Sequence, residues 1–211
     1  MKNGLALFAG AFATLALSWG AVVLTAHRQY GSLTQYKDPV EETLYPQPLT
    51  GLANQGRRVY QDLGCVQCHT QQVRRDGFGA DVARGWGSRQ SVARDYIREQ
   101  TVLIGSHRYG PDLRNVGARI TEPEYFYKLL YSPAAIAPGK PAYQFLFETR
   151  QAVPGQPSAK ALKLGAPAGY EIVPTRRAEA LVAYLMSLKD TYEYPEAKPF
   201  VEAPAQKEGG H

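Results

Sequence analysis

Between Gly4 and Ala26 the chain reads GLALFAGAFATLALSWGAVVLTA and carries no charge. Inside a lipid bilayer such a run is confined to a helix, because each backbone N–H and C=O has to find its partner within the segment. Its 23 residues span about 35 Å as a helix, against a hydrocarbon core of about 30 Å. The apolar core of a cleaved secretory signal is shorter, about 7–15 residues. The run is therefore read as a transmembrane anchor over 4–26. Lys2 precedes it, and His27, Arg28 and Lys37 follow it, so the charge balance leans weakly against exporting what comes after. Ala6, Gly10, Thr14 and Ser18 recur every four residues and define one small-residue face. That spacing suits close helix packing, but membrane helices are commonly rich in small residues, and both readings stay open.

The remaining chain is long enough for one domain with appendages. Residues 27–50 are polar and contain Pro39, Pro46 and Pro48, which reads as an extended connector. The domain is expected over 51–190. A first helix is predicted in LTGLANQGRRVYQDLG, with Thr50 as cap, a stripe of Leu52, Val59, Tyr60 and Leu63, and Gly64 as its end. Thr121 is expected to cap a second helix in EPEYFYKLLYSP, which Pro133 stops. The clearest helix is PTRRAEALVAYLMSLK. Thr175 caps it, and Ala178, Leu181, Val182, Leu185 and Leu188 share a face. Residues 70–120 read as loops and short helices, and 138–174, with Pro and Gly throughout, as a surface wrap. The stretch 191–211 reads as a mobile tail. Strand signal is slight, so the fold class is mainly α.

Net charge is +5, and the arginine pairs at 57/58, 74/75 and 176/177 are scattered. A nucleic-acid partner needs a clustered basic stripe, so none is expected. A modest positive field suits an acidic protein partner.

Both cysteines of the chain lie in GCVQCHTQQVRRDG, as Cys65 and Cys68, with His69 directly behind. Two thiols three residues apart can add to the two vinyl groups of one haem, and the following histidine then reaches the iron as axial ligand. Zinc needs four ligands, and there is no second cysteine pair to supply them. A redox dithiol belongs beside a βαβ pattern, which is missing. One motif implies one covalent haem c. Attachment of this kind takes place on the outer side of the bacterial inner membrane. The haem domain is therefore expected in the periplasm and the N-terminus in the cytoplasm, as a single-pass inner-membrane protein.

A helix, then Cys65-x-x-Cys68-His69, then Gly110-Pro111-Asp112-Leu113, then LVAYLMSL resembles class I cytochrome c. The resemblance implies that the first and last helices cross, with Gly56 and Tyr184 as the contact. It also implies that the carbonyl of Pro111 accepts a hydrogen bond from the proximal histidine. More specifically, the residues around the motif, with Gln71-Gln72-Val73-Arg74, GSHRYGPDL and Lys140-Pro-Ala-Tyr143, resemble subunit II of the C-family (cbb-type) haem–copper oxidases, a membrane-anchored mono-haem cytochrome c. The resemblance covers roughly residues 4–188. It implies an electron-transfer subunit with no oxygen-reducing centre of its own. The expected partners are the catalytic oxidase subunit, other cytochrome subunits and a soluble electron donor. Three other readings remain: the cytochrome subunit of a related nitric oxide reductase, a membrane-tethered shuttle, and an assembly subunit with an inert haem.

Two positions depart from that family. His107 replaces a lysine, and Lys140 stands where the family has the methionine that ligates the iron. The only methionines are Met1 and Met186. Candidates for the sixth position are Lys140 first, then an open or substituted iron, then Met186, then His107. The site residues are thus Cys65, Cys68, His69, Pro111 and Lys140, with His69 and Lys140 on the metal.

Overall fold

A computed structural model describes residues 3–197. They fall into two compact units: the chain up to Pro46 together with Val92–Gln100, and Gln47–Ser91 together with the chain from Thr101 onward. The division thus comes at Pro46, four residues before the expected one. The excursion 92–100, expected within the main domain, groups with the connector.

In the first unit, α1 (Gly4–Tyr30) is long and apolar enough to cross a membrane. It includes one π-helical stretch at Gly20–Leu24 and continues past Ala26. Its Thr14 hydroxyl donates to the carbonyl of Gly10 at 2.9 Å, so the one hydroxyl on the early small-residue face that is bonded is satisfied within the helix. The connector holds a short antiparallel ribbon, β1 (Tyr36–Lys37) with β2 (Leu44–Tyr45). Asp38 closes its turn by accepting from the N–H groups of Val40 and Glu41, both at 2.8 Å. In the excursion, Asp95 accepts from the N–H of Val92 at 2.8 Å, and Arg94 donates to the carbonyl of Thr34.

The second unit is built around two helices, α2 (Gly51–Asp62) and α5 (Arg176–Ser187). Val59 and Tyr60 from α2 meet Ala178, Leu181, Tyr184 and Leu185 from α5 in one buried cluster. Each large apolar side chain fully buried there contributes about 1.5–3 kcal/mol. The crossing depends on Gly56. A Cβ added at this residue would sit 1.8 Å from the carbonyl oxygen of Ala180 and 2.8 Å from Cβ of Tyr184. The expected Gly56–Tyr184 contact is therefore present, with the backbone of Ala180 as the closer neighbour. Tyr60 and Tyr184 meet edge-on, with centroids 5.4 Å apart.

A single helical turn, α3 (Val116–Arg119), packs its Gly117 against the backbone of Met186. The next helix, α4 (Pro123–Tyr131), buries Phe126 and Leu130. Its cap position is Glu122 rather than Thr121, and no side chain caps it. Pro123 at the first helical position explains the shift: its fixed φ starts the helix, and its missing N–H needs no cap. Thr175 caps α5 as expected, accepting from the N–H of Ala178.

Two further features differ from the sequence reading. The expected surface wrap contains an antiparallel hairpin, β3 (Phe147–Gln151) with β4 (Tyr170–Pro174), paired Phe147↔Pro174 through Gln151↔Tyr170. β-Branched and aromatic residues suit both strands, and Ile172 and Val173 are buried. The Pro- and Gly-containing link between them masked that signal. The expected mobile tail is also partly packed. Arg89 donates to the carbonyl of Tyr192 at 2.7 Å and lies 4.8 Å from the ring centroid of Tyr194, which is buried. Arg114 pairs with Asp190 beside it. The rest of that stretch, 198–211, lies outside the described residues.

Candidate functional site

Helix α2 ends at a left-handed residue, Gly64 (φ 67°, ψ 24°). A glycine enters that region without a Cβ penalty, so the chain can turn at once into a 3-10 turn, Cys65–Gln67. The N–H groups of Cys68 and His69 both donate to the carbonyl of Cys65, at 3.2 and 3.1 Å. The two thiols and the imidazole therefore project from one tight turn. Both cysteines are free, Cys65 half-buried and Cys68 exposed. Burial pushes the Cys65 thiol up to about 11 despite the opposing pull of Lys140, which keeps it protonated at neutral pH.

A second segment fixes the imidazole. The N–H of Gly110 donates to the carbonyl of Cys68 at 3.0 Å, and that of Leu113 to Thr70 at 2.8 Å. Between these two bonds, Nδ1 of His69 lies 2.9 Å from the carbonyl oxygen of Pro111. A carbonyl only accepts, so Nδ1 carries the proton and Nε2 presents a lone pair. Burial lowers the pKa of His69, with the Pro111 carbonyl opposing, so the ring is neutral at pH 7 and fit to bind a metal. The approach is close: a Cβ on Gly110 would stand 2.2 Å from Cε1 of His69. A side chain there would displace the ring, so glycine before Pro111 is a steric requirement of the site.

Lys140 follows Gly139 (φ 88°) in the loop after α4. It is half-buried, with Nζ 4.7 Å from the ring centroid of Tyr143. Burial lowers the pKa of its ammonium group, and Cys65 and Cys68 pull the other way. It also acts electrostatically on His69. The fold thus brings Lys140 to the motif across more than seventy residues of sequence. Tyr143 shares this environment: burial raises its pKa first, and Cys65 and Cys68 raise it further. The sequence reading gave Tyr143 no role. Its place in Lys-Pro-Ala-Tyr was the only available signal.

The other two sixth-ligand candidates are engaged elsewhere. Met186 packs against the core beside α3. His107 is exposed, with Nδ1 2.9 Å from Oγ of Ser106 and its ring stacked at 5.8 Å on the exposed Tyr109. Met1 and His211 lie outside the described residues. Among the described residues there is no group of three or more His, Cys, Asp or Glu able to hold a metal ion. The available donors are two free thiols on one turn, an imidazole with Nε2 open, and a desolvated amine. That set fits haem c.

Asp81, which the sequence reading did not single out, supports the same loops. Asp81 is completely buried, and it accepts from Arg108 at 2.5 Å and from the backbone and guanidinium of Arg74 at 2.8 and 3.2 Å. Burial alone would raise its pKa, but the bonds from Arg108 and Arg74 outweigh that and hold the carboxyl well below the usual carboxylate range. Arg108 also donates to the carbonyl of Gln72 at 2.7 Å.

Fold and donor set together fit a class: a mono-haem cytochrome c-type domain, on a chain whose described residues include one helix long and apolar enough for a membrane. Within that class, residues 8–171 match the family described as "Cytochrome C oxidase, mono-heme subunit/FixO", and the chain belongs to it. The match covers the motif, Pro111 and Lys140. A comparison with curated proteins finds no match.

Proposed function

We propose that this chain is the electron-transfer subunit of a cbb-type cytochrome c oxidase. One haem c would be held by the thiols of Cys65 and Cys68 through thioether bonds, and Nε2 of His69 and Nζ of Lys140 are the groups that would hold its iron. Single electrons arrive from a soluble cytochrome or another haem subunit and leave toward the catalytic membrane subunit. The chain makes and breaks no bonds in substrate. The haem domain faces the periplasm, with the N-terminus of α1 in the cytoplasm and α1 in the bacterial inner membrane.

One observation carries the reading: Cys65, Cys68 and His69 share one turn, His69 is oriented by Pro111, and Lys140 is gathered beside them. The haem would supply the redox chemistry. The residues of this chain orient the imidazole and would supply the group for the sixth position. Lysine ligates only as the neutral amine. From a reference pKa of about 10.4, deprotonation at pH 7 costs roughly 4–5 kcal/mol. Burial of Lys140 reduces that cost, and a bond to iron would offset the rest.

Denatured chain expressed with its maturation system should keep haem peroxidase stain on a gel, because thioether bonds survive denaturation. Cys65→Ser with Cys68→Ser should remove it. Unstained wild-type chain refutes the haem assignment. Lys140→Ala should change the ferric spin state or open the iron to added imidazole. An unchanged spectrum rules Lys140 out as ligand.

A further inference from the structure

We propose that Asp112 is a positioning residue for the proximal side of this site: its buried carboxylate locks Thr70 and Gln72 to the Pro111 loop and increases the electron donation of His69. The inference rests on the haem reading above. Asp112 is completely buried. Its Oδ2 accepts from the hydroxyl of Thr70 at 2.6 Å and from the N–H of Gln72 at 2.8 Å, and its Oδ1 from the N–H of Arg114 at 2.8 Å. Two of these donors belong to the irregular segment leaving His69 and the third to the loop that carries Pro111. The bond from Nδ1 of His69 to the Pro111 carbonyl lies inside this ladder, flanked by the Cys68–Gly110 and Thr70–Leu113 bonds. The two segments therefore cannot shift relative to each other without breaking a bond to the carboxylate.

The charge matters as well as the bonds. The three close donors to the carboxylate are neutral. The nearest side-chain cation is Arg108, 3.7 Å away and committed more closely to Asp81 and to Gln72. Arg119 donates to the backbone carbonyl of Asp112, not to its carboxylate. A negative charge thus remains one residue from the carbonyl that holds the imidazole. In a low-dielectric interior such a charge polarises the chain of hydrogen bonds. A more strongly polarised Nδ1–H makes Nε2 a better donor, which favours the ferric over the ferrous state.

The test uses full-length holoprotein in detergent. Asp112→Asn keeps the size of the side chain and removes its charge and one acceptor. Its reduction potential should rise, and the His69 ring N–H should exchange with solvent faster by NMR of histidine-labelled protein. Thr70→Val removes only the hydroxyl bond to the carboxylate. The same exchange should accelerate by roughly tenfold, as expected for losing one hydrogen bond to a charged group. If Asp112→Asn does not accumulate with haem, Thr70→Val alone decides. Unchanged exchange in Thr70→Val, or an unchanged potential in folded Asp112→Asn, overturns the proposal. Absence of covalent haem from the wild type overturns the haem reading instead, and is seen before either variant is made.

Discussion

Gly56→Ala sets local preference against tertiary contact. In an isolated helix, alanine is better than glycine by about 1 kcal/mol. At this position an added Cβ would be 1.8 Å from the carbonyl oxygen of Ala180 and 2.4 Å from its carbonyl carbon, where ordinary contact begins at 3.4 Å. Helices α2 and α5 would have to part by about 1.6 Å, the difference between 3.4 and 1.8 Å. A gap of about 0.5–1 Å already forfeits a quarter to a half of a van der Waals well, so Val59, Tyr60, Leu181 and Tyr184 would all lose packing. The obstructing atoms are backbone and cannot rotate away. Overpacking of this kind costs about 3 kcal/mol, which leaves a net loss of about 2 kcal/mol after the helix gain. For a chain of this size that lowers Tm by about 4–8 °C. Thermal melts of the holoprotein, followed by circular dichroism, measure it. Asn54→Ala, at an exposed position of the same helix, is the control and should stabilise slightly. If Gly56→Ala raises Tm as Asn54→Ala does, the crossing is not where the fold places it.

Asp81→Asn should destabilise the domain by about 3–5 kcal/mol, because it leaves Arg108 poorly matched in a buried site; chemical denaturation measures this. The folded-state pKa of Asp81 is depressed, so its contribution is fully present above the ordinary carboxylate pKa and is lost as the pH falls through that range and below. Acid unfolding of the wild type should accordingly be steeper below pH about 4 than that of Asp81→Asn. Lys140→Met should restore a thioether ligand, raise the reduction potential relative to wild type, and bring in the methionine–iron charge-transfer band. Redox titration and visible spectroscopy read both, and a lower potential would contradict nitrogen ligation in the wild type.

Some of this molecule is written in short stretches of sequence. The uncharged run from Gly4, the thiols and imidazole of Cys65, Cys68 and His69, the cap at Thr175 and the buried face of α5 each depend on residues within a few turns of one another. Helical period, capping and motif spacing express interactions of that range, so they are legible without the fold. The Gly56–Tyr184 crossing and the Pro111 carbonyl came from family resemblance, because neither residue carries a local sign of its distant partner. Other features were decided by tertiary structure alone. Thr70 and Gln72 meet Asp112 across some forty residues, Arg89 meets Tyr192 across a hundred, and β3 finds β4 beyond an irregular link. A buried carboxylate is stable only where the fold has gathered enough donors around it. The sequence around Asp112 reads the same whether those donors arrive or not, and only the packing of the 69–72 segment against the 110–114 loop delivers them.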